Sequence, residues 1–222
     1  MITDIRNKLF SVIRVGMDHE ISFPSLSSDD CKTLLQIGAK QSILPIILRG
    51  LKKAGAPAEV VKECDRARLK DTRQYIIQND ALQKIGRALD GEQIPYIPLK
   101  GAVLRQLYPV PELRTSCDID VLVKEDDVEE AVAAIENATD IVKKKRNYHD
   151  ISMVNSQIHL ELHFSILENM ENIDKLLSHV WDYAVQDEGS RYKLTPEFQI
   201  FHIAAHMSYH MVHGGLGIRP FH

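Results

Sequence analysis

The sequence predicts an α+β fold, in which a mixed β-sheet core with flanking helices follows a helical region and precedes a last helix. Apolar residues recur at helical spacing in the first part of the chain, and short β-like runs alternate with helical patterns in the middle. Helical periodicity returns at Pro196–His213. We therefore expect a helical region at 1–90, an α/β core at 91–190 and a C-terminal helical segment at 191–222.

The N-terminal region has the apolar spacing of amphipathic helices, as in Ile5, Leu9 and Ile13. Pro24 and the polar run Ser27–Asp30 are typical of a turn followed by a helix cap. A second break is predicted around Gly55, next to a proline. The region is therefore expected to hold several helices joined at these points.

Four runs in the middle of the chain have the composition or alternation of strands. They are Tyr96–Leu99, Ile119–Val123, Ile151–Val154 and Ile158–Ile166. A helical pattern at Asp126–Asn137 separates the second run from the third. At the C-terminus, Gly214, Gly215 and Gly217 are expected to end the last helix, and Arg219–His222 follows as a stub. Such an ending normally leads into another packed element, so we expect the sequence to be truncated there.

The composition is that of a globular protein, with 44% hydrophobic residues and a formal charge of -4. This charge and the 6% aromatic content disfavour a long nucleic acid as partner, since binding one needs basic and stacking surfaces. Cys31, Cys64 and Cys117 are too widely spaced for a CxxC zinc site and are odd in number. The longest apolar run, Ile43–Leu48, is too short to span a bilayer. We expect a cytoplasmic protein without a membrane partner.

Carboxylates form the main candidate site. Asp118 and Asp120 alternate with apolar residues at the start of a predicted strand, so they share one face. Two adjacent carboxylates repel each other unless a cation lies between them, and oxygen ligands suit Mg²⁺ or Mn²⁺. Glu161 lies on a later strand, on the same face as His159 and His163. If the strands are neighbours, Glu161 completes a cage for two divalent ions; otherwise these acids only solvate a strand end and an exposed face.

A second candidate feature is the turn at Lys100 and Gly101, which follows a predicted strand and opens a helix. Glycine permits a tight turn, and the N-terminus of a helix offers free N–H groups to a phosphate. Lys100 adds a positive charge at the same place. Alone, this pair is equally typical of a surface turn, so its significance depends on the carboxylates that follow it.

This order of parts resembles the nucleotidyltransferase superfamily that includes DNA polymerase β. The segment Leu99–Val123, LKGAVLRQLYPVPELRTSCDIDVLV, closely resembles a bacterial family of uncharacterised nucleotidyltransferases. In that family a Leu-Lys-Gly turn, a Tyr-Pro, a Leu-Arg and an Asp-Ile-Asp follow in the same order. The resemblance covers Tyr96 to about Ile166 well, the last helix loosely and the N-terminal region only in general character. It implies a nucleotidyltransferase-like sheet at 91–190.

The resemblance also implies roles for individual residues. Asp118 and Asp120 would bind Mg²⁺ or Mn²⁺, and Glu161 would be the third acid, able to take a proton from the attacking group. Lys100 and Gly101 would lie at the triphosphate. All three carboxylates are thus predicted to be both catalytic residues and metal ligands.

One position departs from the superfamily pattern. Many members have a serine where this chain has Ala102, so the hydroxyl that usually contacts a phosphate is missing. Lys100 or Ser116 is a candidate substitute. Arg114 and Ser116 precede the first aspartate, where they are predicted to orient phosphate oxygens or brace the carboxylates. For Arg114, a surface ion pair is an equally good interpretation.

The leading functional hypothesis is therefore transfer of a nucleoside monophosphate from an NTP, with ATP favoured, to a hydroxyl or similar acceptor. A small molecule or a protein is favoured as the acceptor over a long nucleic acid. The main alternative, motivated by Ala102, is a catalytically inactive NTP-binding regulatory module that acts with a protein partner. A histidine-centred metalloprotein is a third possibility.

That third possibility arises from the histidine stripe, which comprises His202, His206, His210 and His213. Their spacing places the four imidazoles along one side of the last predicted helix. The stripe is compatible with a transition-metal site, with contacts to the nucleotide or acceptor, or with a polar seam between helix and sheet. In the last case, the histidines of the strand Ile158–Ile166 are the candidate partners.

Overall fold

The computed structural model describes residues 2–21 and 25–215. The expectations for Pro24, Gly217 and the terminal stub Arg219–His222 lie outside the described residues. The chain divides into two compact units. The first unit contains Met1–Ile76 and Leu104–Thr115, and the second contains Ile77–Val103 and Ser116–Leu216.

The first unit is helical, which confirms the prediction for the N-terminal region. Its helices are α1 (Ile2–Gly16), α2 (Ser28–Lys40), α3 (Leu44–Lys53) and the first part of α4 (Ala58–Gly91). The predicted cap is present, because the Ser27 hydroxyl accepts a hydrogen bond from the Asp30 backbone N–H at 3.1 Å, and the Asp30 carboxylate accepts one from the Ser27 N–H at 2.9 Å. This capping box sets the start of α2.

Helices α1 and α3 pack with their backbones in close approach. Gly16 of α1 lies against Ile46 of α3, and Gly50 of α3 lies against Val12 of α1, so that a Cβ at either glycine would clash with a carbonyl oxygen. Leu34, on α2, is fully buried in the same core. The two glycines therefore set the distance between α1 and α3.

The second unit is built on a mixed sheet, and its described strands follow the order β3-β4-β5-β2-β1-β7-β6. The strands are β1 (Tyr96–Pro98), β2 (Ile119–Val123), β3 (Val142–Arg146), β4 (Asp150–Val154), β5 (His159–His163), β6 (Ala184–Glu188) and β7 (Arg191–Leu194). Its remaining helices are α5 (Lys100–Leu104), α6 (Val128–Ala138), α7 (Glu171–Leu177) and α8 (Pro196–His213). The α+β fold class is confirmed.

The four predicted strands are present as β1, β2, β4 and β5, whereas three strands were not predicted. Every residue of β3, Val-Lys-Lys-Lys-Arg, is exposed, and β6 is exposed along most of its length. Both lie at the edges of the sheet and carry charged residues, which protect an edge against pairing with another chain. Strands of this kind have little apolar alternation for a sequence pattern to detect.

The sheet has an apolar core on each face. Val121 of β2 belongs to the core cluster that includes α4 and α6, whereas its neighbour Leu122 belongs to the cluster that includes α7 and α8. Because side chains alternate along a strand, Asp120 lies on the same face as Leu122. The acidic face of β2 is therefore the face that α8 covers. Among the described residues, the helices lack the combination of length and apolarity that crossing a membrane requires.

Candidate active site

The pairing of β2 with β5 brings two of the predicted acids together. The two strands are parallel, and Asp120 is registered with Glu161, just as Leu122 is registered with His163. Glu161 and His163 are two residues apart on β5 and therefore point to one face. The opposite face of β5 supplies Leu160 and Leu162 to the buried core, which fixes this orientation.

Asp120, Glu161 and His163 form a compact group of possible metal ligands. The Nε2 atom of His163 lies 3.2 Å from Oδ1 of Asp120 and 3.4 Å from Oε2 of Glu161. One donor atom from each side chain lies within 4.8 Å of the other two. The side chains of Asp120 and His163 are only 5% exposed, whereas that of Glu161 is 29% exposed. The group could therefore hold a divalent ion.

Two cationic groups compensate the charge of Asp120. Burial opposes ionisation of this carboxyl, but the hydrogen bond from His163 and the charge of Lys100 outweigh burial and lower its pKa to about 2. The Nζ atom of Lys100 lies 3.7 Å from Oδ1 of Asp120. Asp120 is therefore an anion at every physiological pH.

The pKa of His163 is shifted in the opposite direction. Burial disfavours its charged form, but hydrogen bonds to Asp120 and Glu161 outweigh burial and raise its pKa. The hydrogen bond from His163 lowers the pKa of Glu161, against the opposing effects of burial and of Asp120. Without an ion, His163 thus lies beside both carboxylates and favours their ionised forms.

The predicted turn after β1 is present, but its backbone differs from the expectation. The left-handed backbone conformation falls on Lys100, with φ of 35°, and Gly101 is a buried residue within α5. A lysine is rarely found in this conformation, which is usually retained only where the surroundings enforce it. Here it accompanies the placement of the ammonium group of Lys100 beside Asp120. Because α5 has only five residues, Lys100 supplies most of the positive charge at this turn.

Asp118 lies just before β2 and outside the ligand group formed by Asp120, Glu161 and His163. The Ser116 hydroxyl donates a hydrogen bond to Oδ1 of Asp118 at 2.9 Å. The Ser116 carbonyl in turn accepts one from the buried side-chain amide of Gln78, at 2.9 Å. The segment that carries Asp118 is thus anchored to α4.

Arg114 and Ser116, both predicted to contact the nucleotide, fall in different units. Arg114 belongs to the first unit, where its backbone N–H donates to the carbonyl of Pro111 at 3.2 Å. Ser116 begins the part of the second unit that carries Asp118 and Asp120. The structure therefore groups Ser116 with the carboxylates, and the role of Arg114 stays a prediction.

Sequence reasoning did not assign His163 and Gln78 to this site. For His163 a signal was available, because period-two alternation places it on the face of Glu161. Gln78 belongs to a long helix with no local motif, and its contact with Ser116 spans 38 residues of the chain. Gln78 can therefore be assigned to the site only from the folded structure.

Comparison with known proteins assigns the chain to a family. The model of a family described as uncharacterised nucleotidyltransferase matches residues 27–222. The chain belongs to this nucleotidyltransferase family. No curated protein matched the chain. A solution structure of the antibiotic-resistance factor ANT(2'')-Ia matches with a TM-score of 0.36 and 17% identity, over 40% of this chain and 48% of that chain. The match thus spans about half the length of that structure.

In this member of the nucleotidyltransferase family, His206 of the histidine stripe contacts a carboxylate. The Nδ1 atom of His206 lies 2.7 Å from Oε1 of Glu168, in the loop after β5. On β5 itself, His159 instead contacts the Ser152 hydroxyl at 2.9 Å. His213 contacts the Tyr209 carbonyl of its own helix at 2.8 Å. One partner of the stripe is thus Glu168, a carboxylate that the sequence pattern did not identify.

His202, the first histidine of the stripe, is fully buried, and neither ring nitrogen has a hydrogen-bond partner among the described residues. Burial, followed by the charges of Lys100 and His206, lowers its pKa from 6.5 to about 4. Its imidazole is therefore neutral in the folded protein at neutral pH.

This burial predicts that acid destabilises the protein through His202. Because the folded-state pKa lies below the unfolded value, the unfolded chain binds the proton first. The resulting loss of stability is absent above about pH 6.5, grows as the pH falls and is complete below about pH 4. We expect the free energy of unfolding of His202→Leu, measured by urea denaturation, to depend less on pH than that of the wild type between about pH 4 and 6.5. The control is His179→Gln, which replaces an exposed histidine. If both variants lose the same amount of pH dependence, His202 is not the source of the acid sensitivity.

Proposed function

We propose that this protein is a metal-dependent nucleotidyltransferase that moves a nucleoside monophosphate from an NTP, with ATP favoured, to an acceptor hydroxyl. Pyrophosphate is the second product. The observation that carries the proposal is the side-by-side placement of Asp120 and Glu161 on paired strands, with the ammonium group of Lys100 beside the Asp120 carboxylate. Membership of the nucleotidyltransferase family supports the reaction class. A small molecule or a protein is the favoured acceptor.

The donor set fits Mg²⁺ or Mn²⁺. Asp120 and Glu161 bring two carboxylates together, and carboxylate oxygens are ligands that both ions accept. Asp120 and Glu161, together with His163, would hold the ion, and Asp118 is proposed as a further ligand from the adjoining segment. When bound, the ion supplies electrostatic stabilisation of the charge on the reacting phosphates.

The residues of the chain then have separate roles. Lys100, together with Gly101 of the same turn, is proposed to bind the triphosphate, where its ammonium group neutralises phosphate charge. The acceptor oxygen forms a bond to the α-phosphorus, and the bond from this phosphorus to the β-phosphate oxygen breaks. Glu161, whose lowered pKa keeps it ionised, takes the proton from the acceptor hydroxyl. Arg114 and Ser116 are proposed to orient phosphate oxygens or the carboxylate of Asp118.

One observation favours a second candidate, an NTP-binding regulatory module without catalysis that acts with a protein partner. Ala102 stands where many superfamily members have a serine. The Ser116 hydroxyl, a candidate substitute, already donates its hydrogen bond to Asp118. A chain without a hydroxyl for the phosphates would bind an NTP but position it poorly for transfer.

A label-transfer experiment separates the two candidates. Purified protein is incubated with each of the four α-³²P-labelled NTPs and Mg²⁺ or Mn²⁺, in the presence of a panel of hydroxylated small molecules and the protein itself as acceptors. The transferase predicts pyrophosphate release and label on an acceptor, for ATP above the other nucleotides. NTP binding measured by calorimetry, without release or label under any of these conditions, would support the regulatory module instead.

A further inference from the structure

The outer part of α8 carries two imidazoles that face each other. The Nε2 atom of His206 lies 3.0 Å from the Nε2 atom of His210, one helical turn later. The rings are nearly perpendicular, with an interplanar angle of 84° and centroids 4.4 Å apart. Two histidines at this spacing share a helix face, but a direct approach of both Nε2 atoms also requires matched side-chain rotamers.

Glu168 determines which nitrogen of His206 carries the proton. The Oε1 atom of Glu168 lies beside Nδ1 of His206, and a carboxyl group is ordinarily ionised at neutral pH. An ionised carboxylate only accepts hydrogen bonds, so the contact of 2.7 Å must be donated by Nδ1–H of His206. The Nε2 atom of the neutral ring then presents its lone pair toward His210.

In this geometry a carboxylate holds one nitrogen of a histidine ring, and the other nitrogen of the ring is in position to bind a metal ion. Ligating histidines commonly donate their second N–H to a carboxylate, which orients the ring and increases its basicity. Two imidazole nitrogens bound to one tetrahedral Zn²⁺ are roughly 3.3 Å apart, given bonds of about 2.0–2.1 Å. The separation of 3.0 Å between His206 and His210 needs only a small opening to reach that value.

We propose that His206 and His210 bind a transition-metal ion of the zinc class, with Glu168 orienting His206. On binding, the proton of His210 moves from Nε2 to Nδ1, so both rings stay neutral and both Nε2 lone pairs bind the ion. Among the described residues, no third histidine, cysteine or carboxylate completes this pair within ligand distance. Water or a bound molecule therefore fills the remaining positions, as in open rather than structural zinc sites.

This site differs from the carboxylate site in the ions that it accepts. A pair of imidazoles favours Zn²⁺, Ni²⁺ or Cu²⁺, whereas the two carboxylates of the other site also admit Mg²⁺ or Mn²⁺. His210 is exposed and the His206 side chain is 32% exposed, so an ion can reach both nitrogens. The inference does not depend on the proposed nucleotidyl transfer, and the two can fail separately.

The test is calorimetric titration of the EDTA-treated full chain with ZnCl₂, and variants separate this pair from the group of Asp120, Glu161 and His163, which can also take Zn²⁺. We expect the wild type to bind a Zn²⁺ ion whose binding is lost in His206→Ala and in His210→Ala. Glu168→Gln is expected to weaken binding by roughly 10- to 100-fold, because it removes only the orienting carboxylate. Addition of CoCl₂ to the wild type should also give visible absorption bands that both histidine variants lack.

The matched control is His213→Ala, which removes a histidine of the same helix whose Nδ1 contacts a backbone carbonyl. This variant is expected to bind Zn²⁺ as the wild type does. Circular dichroism of each variant checks that α8 is retained, and the exposed position of His210 makes its replacement the mildest change. Wild-type protein without Zn²⁺ binding, or binding lost in Glu161→Gln but kept in His210→Ala, would overturn the proposal.

Discussion

Asp120→Asn is expected to lower the rate of nucleotidyl transfer at least about a thousandfold, equivalent to roughly 4 kcal/mol of lost transition-state stabilisation. The substitution keeps the shape of the side chain but removes the charge to which Lys100 and His163 are directed. It also removes one of the two carboxylates that would hold the metal. The measurement is pyrophosphate release with the NTP that the wild type uses best.

The fold is expected to survive this substitution. His163 loses a partner that raises its pKa, so the neutral form of its ring is favoured and a buried, uncompensated cation is avoided. The control is Asp182→Asn, the same chemical change at an exposed aspartate of the second unit. Calorimetric titration with MnCl₂ provides a readout apart from activity, and we expect weaker binding only in Asp120→Asn. Unchanged turnover in this variant would remove Asp120 from the mechanism.

The second large effect is expected in the first unit, where Gly50→Ala should lower the free energy of unfolding by about 1–3 kcal/mol. The added Cβ would collide with the backbone carbonyl of Val12, which a helix cannot move without separating α1 from α3. Alanine gains only about 0.5–1 kcal/mol over glycine within a helix, so the clash outweighs this gain.

The measurement for Gly50→Ala is urea denaturation followed by two signals. Circular dichroism reports all helices, whereas fluorescence of the single tryptophan, Trp181, reports the second unit. We expect the circular dichroism transition to move to lower urea concentration. Gly91→Ala is the control, because nothing lies near an added Cβ at the end of α4. Equal stability of the two variants would mean that α1 and α3 adjust to the added methyl group.

The elements that are buried on both faces could be predicted from the sequence. Runs such as Ile119–Val123 are apolar because helices cover both sides of the sheet, and burial leaves a pattern in composition. Edge strands such as β3 leave no such pattern, since their side chains face solvent and their pairing is a property of the backbone. The predictable part of the fold is thus the part that excludes water.

The candidate site was predictable to a smaller extent. Alternation places Asp118 and Asp120 on one face, but the approach of Glu161 requires the pairing of β2 with β5, which only the family resemblance implied. The left-handed backbone of Lys100 and the anchoring of Ser116 by Gln78 follow from tertiary packing. Local patterns carry no information about such contacts.

The parallel pairing of β2 and β5 also bears on how the protein assembles. Antiparallel neighbours can be joined by a tight turn, but parallel strands need a crossover, which here contains α6, β3 and β4. Loop-closure entropy must therefore be overcome before Asp120 and Glu161 meet, and local helix formation cannot bring them together. The carboxylate pair consequently arises with long-range order in the sheet, so that a partly folded chain with native helices would not yet present it to an ion.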